Sequence, residues 1–248
     1  MFDFEDEITY LTIDEVRIVD AGDSDVIYAD TKRSLANAEQ AVRGLLDAKV
    51  LPCILGGDHA ITMATIAAFS NEKPIHIVHL DAHFDFIDGR NGITWGHGSP
   101  MRRASEMAHV KGITTLGPHN MAAVSRKDWE ASRAYGAHVV PLRLVRTQGA
   151  VASVEHIPQG ERVYVSIDID SFDPSIASGT ATISHGGFTY YEVKDILREI
   201  AKRFEVVGVD LVEVSPPYDP SGVTALLAAR TSLDFIGSIF HERMKRRG

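Results

Sequence analysis

The chain has a single cysteine, Cys53, among 248 residues, which excludes an intramolecular disulfide framework and fits a reducing compartment, the cytoplasm being the expected one. No unbroken run of about 18 apolar residues occurs, so no transmembrane helix is expected. The opening Met-Phe-Asp-Phe-Glu-Asp-Glu is acidic and lacks the basic-then-apolar order of a signal peptide. Positive charge is also scarce: 25 Lys and Arg stand against 34 Asp and Glu, a net charge of −9. That balance argues against binding to nucleic acid or an anionic membrane, and it suits a small cation or metal ions. The one basic cluster, Arg243, Lys245, Arg246 and Arg247, falls at the end of a helical stretch, where the helix dipole favours cations.

What is present is ordinary globular material, 44% hydrophobic and 24% charged, enough for a sizeable core. There is no internal repeat, no low-complexity tract and no Pro/Gly/Ser-rich linker, so residues 1–248 read as one domain. Apolar β-rich runs alternate with segments of helical period, the pattern of an α/β fold with a mainly parallel sheet between helices. Strands are expected at Val16–Val19, Val50–Leu55, Ile75–Leu80, Ile113–Leu116, His138–Pro141, Val163–Ile167 and Val206–Val212. Helices are expected at Thr31–Ala48, Ala60–Phe69, Arg126–Tyr135, Tyr190–Arg203 and Val223–Met244, with Thr189 and Glu192 as a capping box on the fourth.

The ends of these strands carry the chemistry. Val50–Leu55 runs into Gly56-Gly57-Asp58-His59, Ile75–Leu80 into Asp81-Ala82-His83-Phe84-Asp85, Val163–Ile167 into Asp168-Ile169-Asp170, and Val206–Val212 into Glu213. In a parallel sheet such ends share the edge at which ligands of open α/β folds bind. Extended backbone would put Asp81, His83 and Asp85 on one face, and likewise Asp168 and Asp170. Asp81, Asp85, Asp168 and Asp170, joined by His59 and His83, would repel one another unless protonated or neutralised. Two divalent cations bring about +4 against −4, and a donor set of imidazole and carboxylate without thiolate favours Mn²⁺ or a similar ion. Bridging carboxylates hold such ions roughly 3.5 Å apart with an acidified water between them. His76 and His79 lie inside a strand and read as structural or supporting, as do His109, His119, His138, His156 and His241.

Four motifs, in order, resemble the ureohydrolase superfamily of arginases and agmatinases: Gly-Gly-Asp-His-Ala-Ile-Thr (56–62), Asp-Ala-His-Phe-Asp (81–85), Ser-Ile-Asp-Ile-Asp-Ser-Phe-Asp-Pro (166–174) and Glu-Val-Ser-Pro-Pro-Tyr-Asp (213–219). The resemblance runs from about Val16 to the last helix. It implies a three-layer α/β/α fold, a homo-oligomer (trimer or hexamer) and two Mn²⁺ per subunit, with Ni²⁺ or Co²⁺ as other candidates. By position, His59, Asp81, Asp85 and Asp168 would hold one ion, and Asp81, His83, Asp168 and Asp170 the other. Water activated there attacks a guanidinium carbon and yields urea and an amine. Asp85 would orient that water, His97 matches the proton shuttle, and Glu213 matches the carboxylate that pairs with guanidinium. Asp173 reads as a loop-shaping residue.

Departures from the family pattern bear on the substrate. Arginases place an Asn where this chain has Ile87, which tilts the reading to agmatinases, cleaving agmatine to putrescine and urea. Against that, Ser178-Gly179-Thr180-Ala181-Thr182-Ile183, Gly186-Gly187-Phe188 and Gly117-Pro118-His119 depart from agmatinase motifs. Members of the family also carry a longer segment ahead of the region matching Phe2–Val19. Two alternatives stand beside agmatine: hydrolysis of guanidinobutyrate, guanidinopropionate or guanidine, with Arg102 or Arg103 meeting an acid tail, and a non-catalytic metal-binding regulatory subunit.

Overall fold

The computed structural model describes residues 16–122 and 124–246, together with the backbone of two short strands, β1 (Phe2–Asp3) and β2 (Ile8–Thr9), which pair antiparallel. The main sheet has six strands: β3 (Cys53–Leu55), β4 (Ile75–Leu80), β5 (Val110–Leu116), β6 (His138–Val140), β7 (Arg162–Asp168) and β8 (Glu205–Val212). Their order is β3-β8-β7-β4-β5-β6, and every neighbouring pair is parallel. The helices between them are α1 (Thr31–Asp47), α2 (Ile61–Ala67), α3 (Pro100–Ser105), α4 (Arg126–Tyr135), α5 (Leu142–Gln148), α6 (Ala150–Ser153), α7 (Tyr190–Arg203) and α8 (Val223–Lys245).

Alternation along the strands sorts two cores. Ile75 and Ile77 of β4 and Tyr164 of β7 pack with Val42, Ile66, Phe69, Met101 and Ala104, on the side of α1 to α4. Val78 and Leu80, with Val163, Val165 and Ile167, pack with Leu142, Val145, Val193, Ile196, Ile200, Phe235 and Ile239, on the side of α5 to α8. Burial on both faces explains why these strands are near-continuous apolar runs. The expected capping box is present, Thr189 and Glu192 satisfying each other's backbone N–H groups at the start of α7.

Some elements differ from expectation. Val16–Val19 forms no strand: only Val16 is buried, Ile18 and Val19 are exposed, and among the described residues nothing pairs with that stretch. The strand expected from Val50 starts at Cys53, because Lys49 turns the chain with φ of 58° and Pro52 has no N–H to give the ladder. The short helices α3, α5 and α6 were not anticipated; their few turns are too brief to show a helical period. At its other end the chain closes with α8, long and apolar enough by length and composition alone to cross a membrane, at a mean hydropathy of 1.3. Half of that stretch is buried in the protein, where the helix packs on α7 and its Asp234 accepts hydrogen bonds from Tyr190 and Arg230. Of the basic cluster at its end, Arg243 donates to the Val206 carbonyl and Arg246 to the carbonyls of Ala201 and Lys202, while Arg247 lies outside the described residues.

Gly117 ends β5, with φ of 100° and its N–H on the Val140 carbonyl, and a Cβ there would stand 2.3 Å from the buried ring of Phe188. Gly117→Ala should therefore destabilise the protein by about 2–4 kcal/mol, from positive-φ strain plus overpacking. Urea unfolding checks this; a change below about 0.5 kcal/mol, the range of inert surface substitutions, would mean that Phe188 yields freely.

Candidate active site

Loops at the carboxyl ends of β3, β4, β7 and β8 deliver the site. After β3, Gly56 and Gly57 adopt φ of 77° and 71°, a left-handed turn that side chains resist. Gly56 donates to the Leu211 carbonyl (2.8 Å) and Glu213 donates to the Gly57 carbonyl (3.1 Å), tying this loop to the one after β8. His59 follows the turn and is 1% exposed. Beyond β4 the chain bends at Ala82 and His83 rather than staying extended, and Asp85 takes a left-handed φ of 46°. Asp170 lies in a 3-10 turn, Ile169–Ser171, whose first residues are capped by Asp168 through the Asp170 N–H (2.8 Å). The convergence expected at this edge is present, but through turns rather than through one face of extended strand.

His59 is the hub. Its Nδ1 lies 3.2 Å from Asp81 Oδ2, 3.0 Å from Asp85 Oδ2 and 3.0 Å from Asp168 Oδ2. His83 Nδ1 lies 3.4 Å from Asp81 Oδ1 and 3.0 Å from Asp170 Oδ2. Two overlapping groups of donors result, one of His59, His79, Asp81 and Asp85 and one of Asp81, His83 and Asp170, each compact enough to surround a single ion. Asp81 belongs to both, and Asp168 touches the first through His59 and the second through Asp170. Buried oxygen and imidazole donors with no thiol fit one or two divalent ions of intermediate hardness.

Protons must hold this cluster together without ions. Burial opposes a charged His59, yet its hydrogen bonds to Asp168, Asp81 and Asp85 carry it well above the ordinary histidine range. Burial likewise opposes charge on His83, and Asp170 and Asp81 overcome it, pushing His83 up to about 11. Asp81 is held well below the carboxylate range because His79, His59 and His83 outweigh its burial. Asp168 is driven well above that range by burial and by the charges of Asp170 and Asp81. Burial and Asp81 also raise Asp170.

Glu213 stands beside this cluster in a left-handed conformation, φ 64°, with Oε1 accepting the His59 N–H at 2.7 Å. Left-handed backbone at Asp85 and Glu213, neither a glycine, stores strain of the kind that collects at functional sites. Burial raises Glu213, and its bond from the His59 N–H pulls the other way; His97 lies on an exposed turn. That turn is fixed by the Ile87 N–H on the Gly98 carbonyl (3.0 Å). Arg102 and Arg103, candidates for an acid tail, are engaged elsewhere: Arg103 with Asp88 (2.8 Å) and Glu106 (3.0 Å), Arg102 with Glu106 (3.3 Å) and over the Phe86 ring. Asp173 accepts from Ser175 and Gly186, the loop role expected of it.

His79 Nε2 sits 2.7 Å from Asp81 Oδ2, the supporting place expected of it. Two further members were not expected. Thr182 donates to Asp170 Oδ2 (2.8 Å), and Asn120, anchored on Ser184 Oγ (3.0 Å), lies 3.3 Å from His83 Nε2. Both reach the site from distant loops, with no periodic signal to find them by.

The raised imidazoles define a pH dependence. His83 at about 11 lies above its ordinary 6.5, so its ion pairs stabilise the metal-free fold fully below pH 6.5 and are lost as pH rises through about 11. A divalent cation entering near neutral pH must expel such protons, so its affinity should climb with pH and its binding should release protons. Calorimetry in buffers of different ionisation enthalpy reads that release; heats independent of buffer would contradict it.

Comparison with known proteins agrees with this geometry. The model of the Arginase family matches residues 2–237. Guanidinopropionase from Pseudomonas aeruginosa is 34% identical over 230 residues, covering 90% of this chain and 71% of that protein. Agmatinase from Bacillus cereus is 34% identical over 222 residues, covering 88% and 74%. Among solved structures, proclavaminate amidinohydrolase from Streptomyces clavuligerus superposes with a TM-score of 0.84 at 30% identity, over 93% of this chain and 78% of that one. The fold, the donor cluster and these likenesses agree: the chain belongs to the arginase family and is an amidinohydrolase.

Proposed function

We propose that the chain hydrolyses the guanidino group of a small cationic substrate, agmatine first, to putrescine and urea, using two Mn²⁺. The observation that carries this reading is the buried convergence of His59, Asp81, His83, Asp85, Asp168 and Asp170 beside the carboxylate of Glu213. His59, Asp81, Asp85 and Asp168 would hold one ion and Asp81, His83, Asp168 and Asp170 the other. Bound there, the ions would supply a water acidified toward neutral pH.

The chain's own groups do the rest. Glu213, aimed by the His59 N–H, pairs with the guanidinium through charge-assisted hydrogen bonds and fixes its carbon beside the cluster. A cationic substrate draws the half-buried Glu213 into its ionised form, reversing what burial does to it. Asp85 offers an acceptor that orients the attacking water, and His97, on an exposed turn, gives the departing amine its proton. Ile87 has no hydrogen bond for an α-carboxylate, which disfavours arginine.

A guanidino acid is the second reading, favoured by one feature. An open cleft of about 400 Å³ is lined by His119, Leu142, Arg143, Arg146, Thr147 and Gly186. The Arg143 guanidinium suits an anionic tail, while Arg146 is held by Glu192 (3.2 Å) and the Gly187 carbonyl (2.7 Å), and His119 is the neighbour in sequence of Asn120, which contacts His83. The relative from Pseudomonas aeruginosa is named a guanidinopropionase and that from Bacillus cereus an agmatinase, so likeness alone does not choose.

Urea release by the Mn²⁺-loaded chain decides. kcat/KM for agmatine should exceed that for guanidinobutyrate and arginine by about tenfold, or about 1.4 kcal/mol. A guanidinobutyrate preference that collapses in Arg143→Ala would install the second reading. His97→Asn should lower kcat by about 10²–10⁴ while bound metal is unchanged; full kcat, or metal loss, would defeat the shuttle.

A further inference from the structure

The sheet register assembles a polar row one step beneath the site. β4 aligns His79 with Thr115 of β5 and with Ser166 of β7, and β7 aligns Ser166 with Asp210 of β8. Aligned residues of a parallel sheet project to the same face, and these are buried, none more than 2% exposed. α2 lies over the row and contributes Thr62 and Thr65, both fully buried. Such groups persist in a core only when hydrogen-bonded.

Their bonds converge on Asp210. Its Oδ2 accepts Tyr164 O–H (2.8 Å), Thr62 O–H (2.9 Å) and Thr65 O–H (3.3 Å), while Oδ1 has no partner. Thr62 Oγ1 lies 3.5 Å from Ser166 Oγ, and Ser166 Oγ lies 3.0 Å from His59 Nε2. A carboxylate only accepts, so the single hydroxyl proton of Thr62 goes to Asp210. Thr62 can then only accept from Ser166, and Ser166 in turn accepts from His59. This direction of donation places a proton on His59 Nε2.

We infer that Asp210, Thr62 and Ser166 are positioning residues that keep a proton on His59 Nε2, so that Nδ1, set among Asp81, Asp85 and Asp168, is the nitrogen that yields its proton to an incoming ion. The inference rests on the proposed role of His59 as a metal ligand. Outer partners of a ligating histidine set its tautomer and orientation, and losing one typically lowers metal affinity about 10–100-fold. His79 gives Asp81 a parallel support from the same row, its Nδ1 on Thr115 Oγ1 (3.3 Å) and its Nε2 on Asp81.

The test is calorimetric titration of the metal-free full chain with Mn²⁺. Thr62→Val and Ser166→Ala should each weaken one binding step about 10–100-fold, and Thr62→Ser, which restores the hydroxyl, should recover it. The unfolding midpoint of each metal-free variant is measured alongside. Mn²⁺ affinity unchanged in both Thr62→Val and Ser166→Ala overturns the inference, and a fall in midpoint without that loss of affinity would mean that the row is only structural. Should Thr62→Val fail to fold, Ser166→Ala decides alone, since it removes one small hydroxyl. His59→Ala separates the premise: Mn²⁺ binding like that of the unaltered chain would defeat the ligand assignment and this inference with it, whereas lost binding in His59→Ala with normal binding in Ser166→Ala defeats the relay only.

Discussion

Mutual repulsion among Asp81, Asp85, Asp168 and Asp170, packed where three of them are all but inaccessible to water, is the constraint that the rest of the architecture answers. Removing these carboxylates from water penalises their charge, and proximity penalises it again. In the metal-free chain the compensation comes from protons, with His59 and His83 raised and Asp168 and Asp170 pushed toward their neutral forms. Divalent ions supply the same positive charge in a form that also does chemistry. The left-handed turns at Gly56, Gly57, Asp85 and Glu213 serve this end, since each redirects the chain where it leaves its strand toward the cluster.

A parallel sheet suits such a site because it brings the ends of β3, β4, β7 and β8 to one edge while its two apolar faces hold the strands in place. The cluster draws on positions 59, 81–85 and 168–170, far apart in the chain and adjacent only through the order β3-β8-β7-β4. Strain at Asp85 and Glu213 is tolerable because the loops are tied, Glu213 to Gly57 and Asp85 through its carbonyl to the Met101 N–H. Glu213 is then held at one end of the cluster by the His59 N–H.

Much of this was legible in the sequence, for definite reasons. β4, α4 and α7 match the expected limits: Ser125 and Gly136 bound α4, and Thr189 caps α7. The six clustered donors were legible because they follow apolar runs at short fixed spacings. What was hidden depends on strand order and on turns. Ser166 and Asp210 are 44 positions apart and become neighbours only when β7 pairs with β8. Asn120 and Thr182 reach the site from loops with no periodic signal. The stretch at Val16–Val19 has strand-like composition but no partner, and composition cannot supply one. The extended backbone expected through Asp81–Asp85 failed because the bend at Ala82–His83 has no glycine or proline to announce it.

The central claim is that two ions share this cluster through common carboxylates. Metal analysis of the Mn²⁺-loaded chain, read together with its low-temperature electron paramagnetic resonance spectrum, tests that claim most directly. The account predicts two Mn²⁺ per chain and the signature of an exchange-coupled pair, as carboxylate bridging at roughly 3.5–4 Å requires. A single ion per chain, or two ions with the spectra of isolated Mn²⁺, would contradict it.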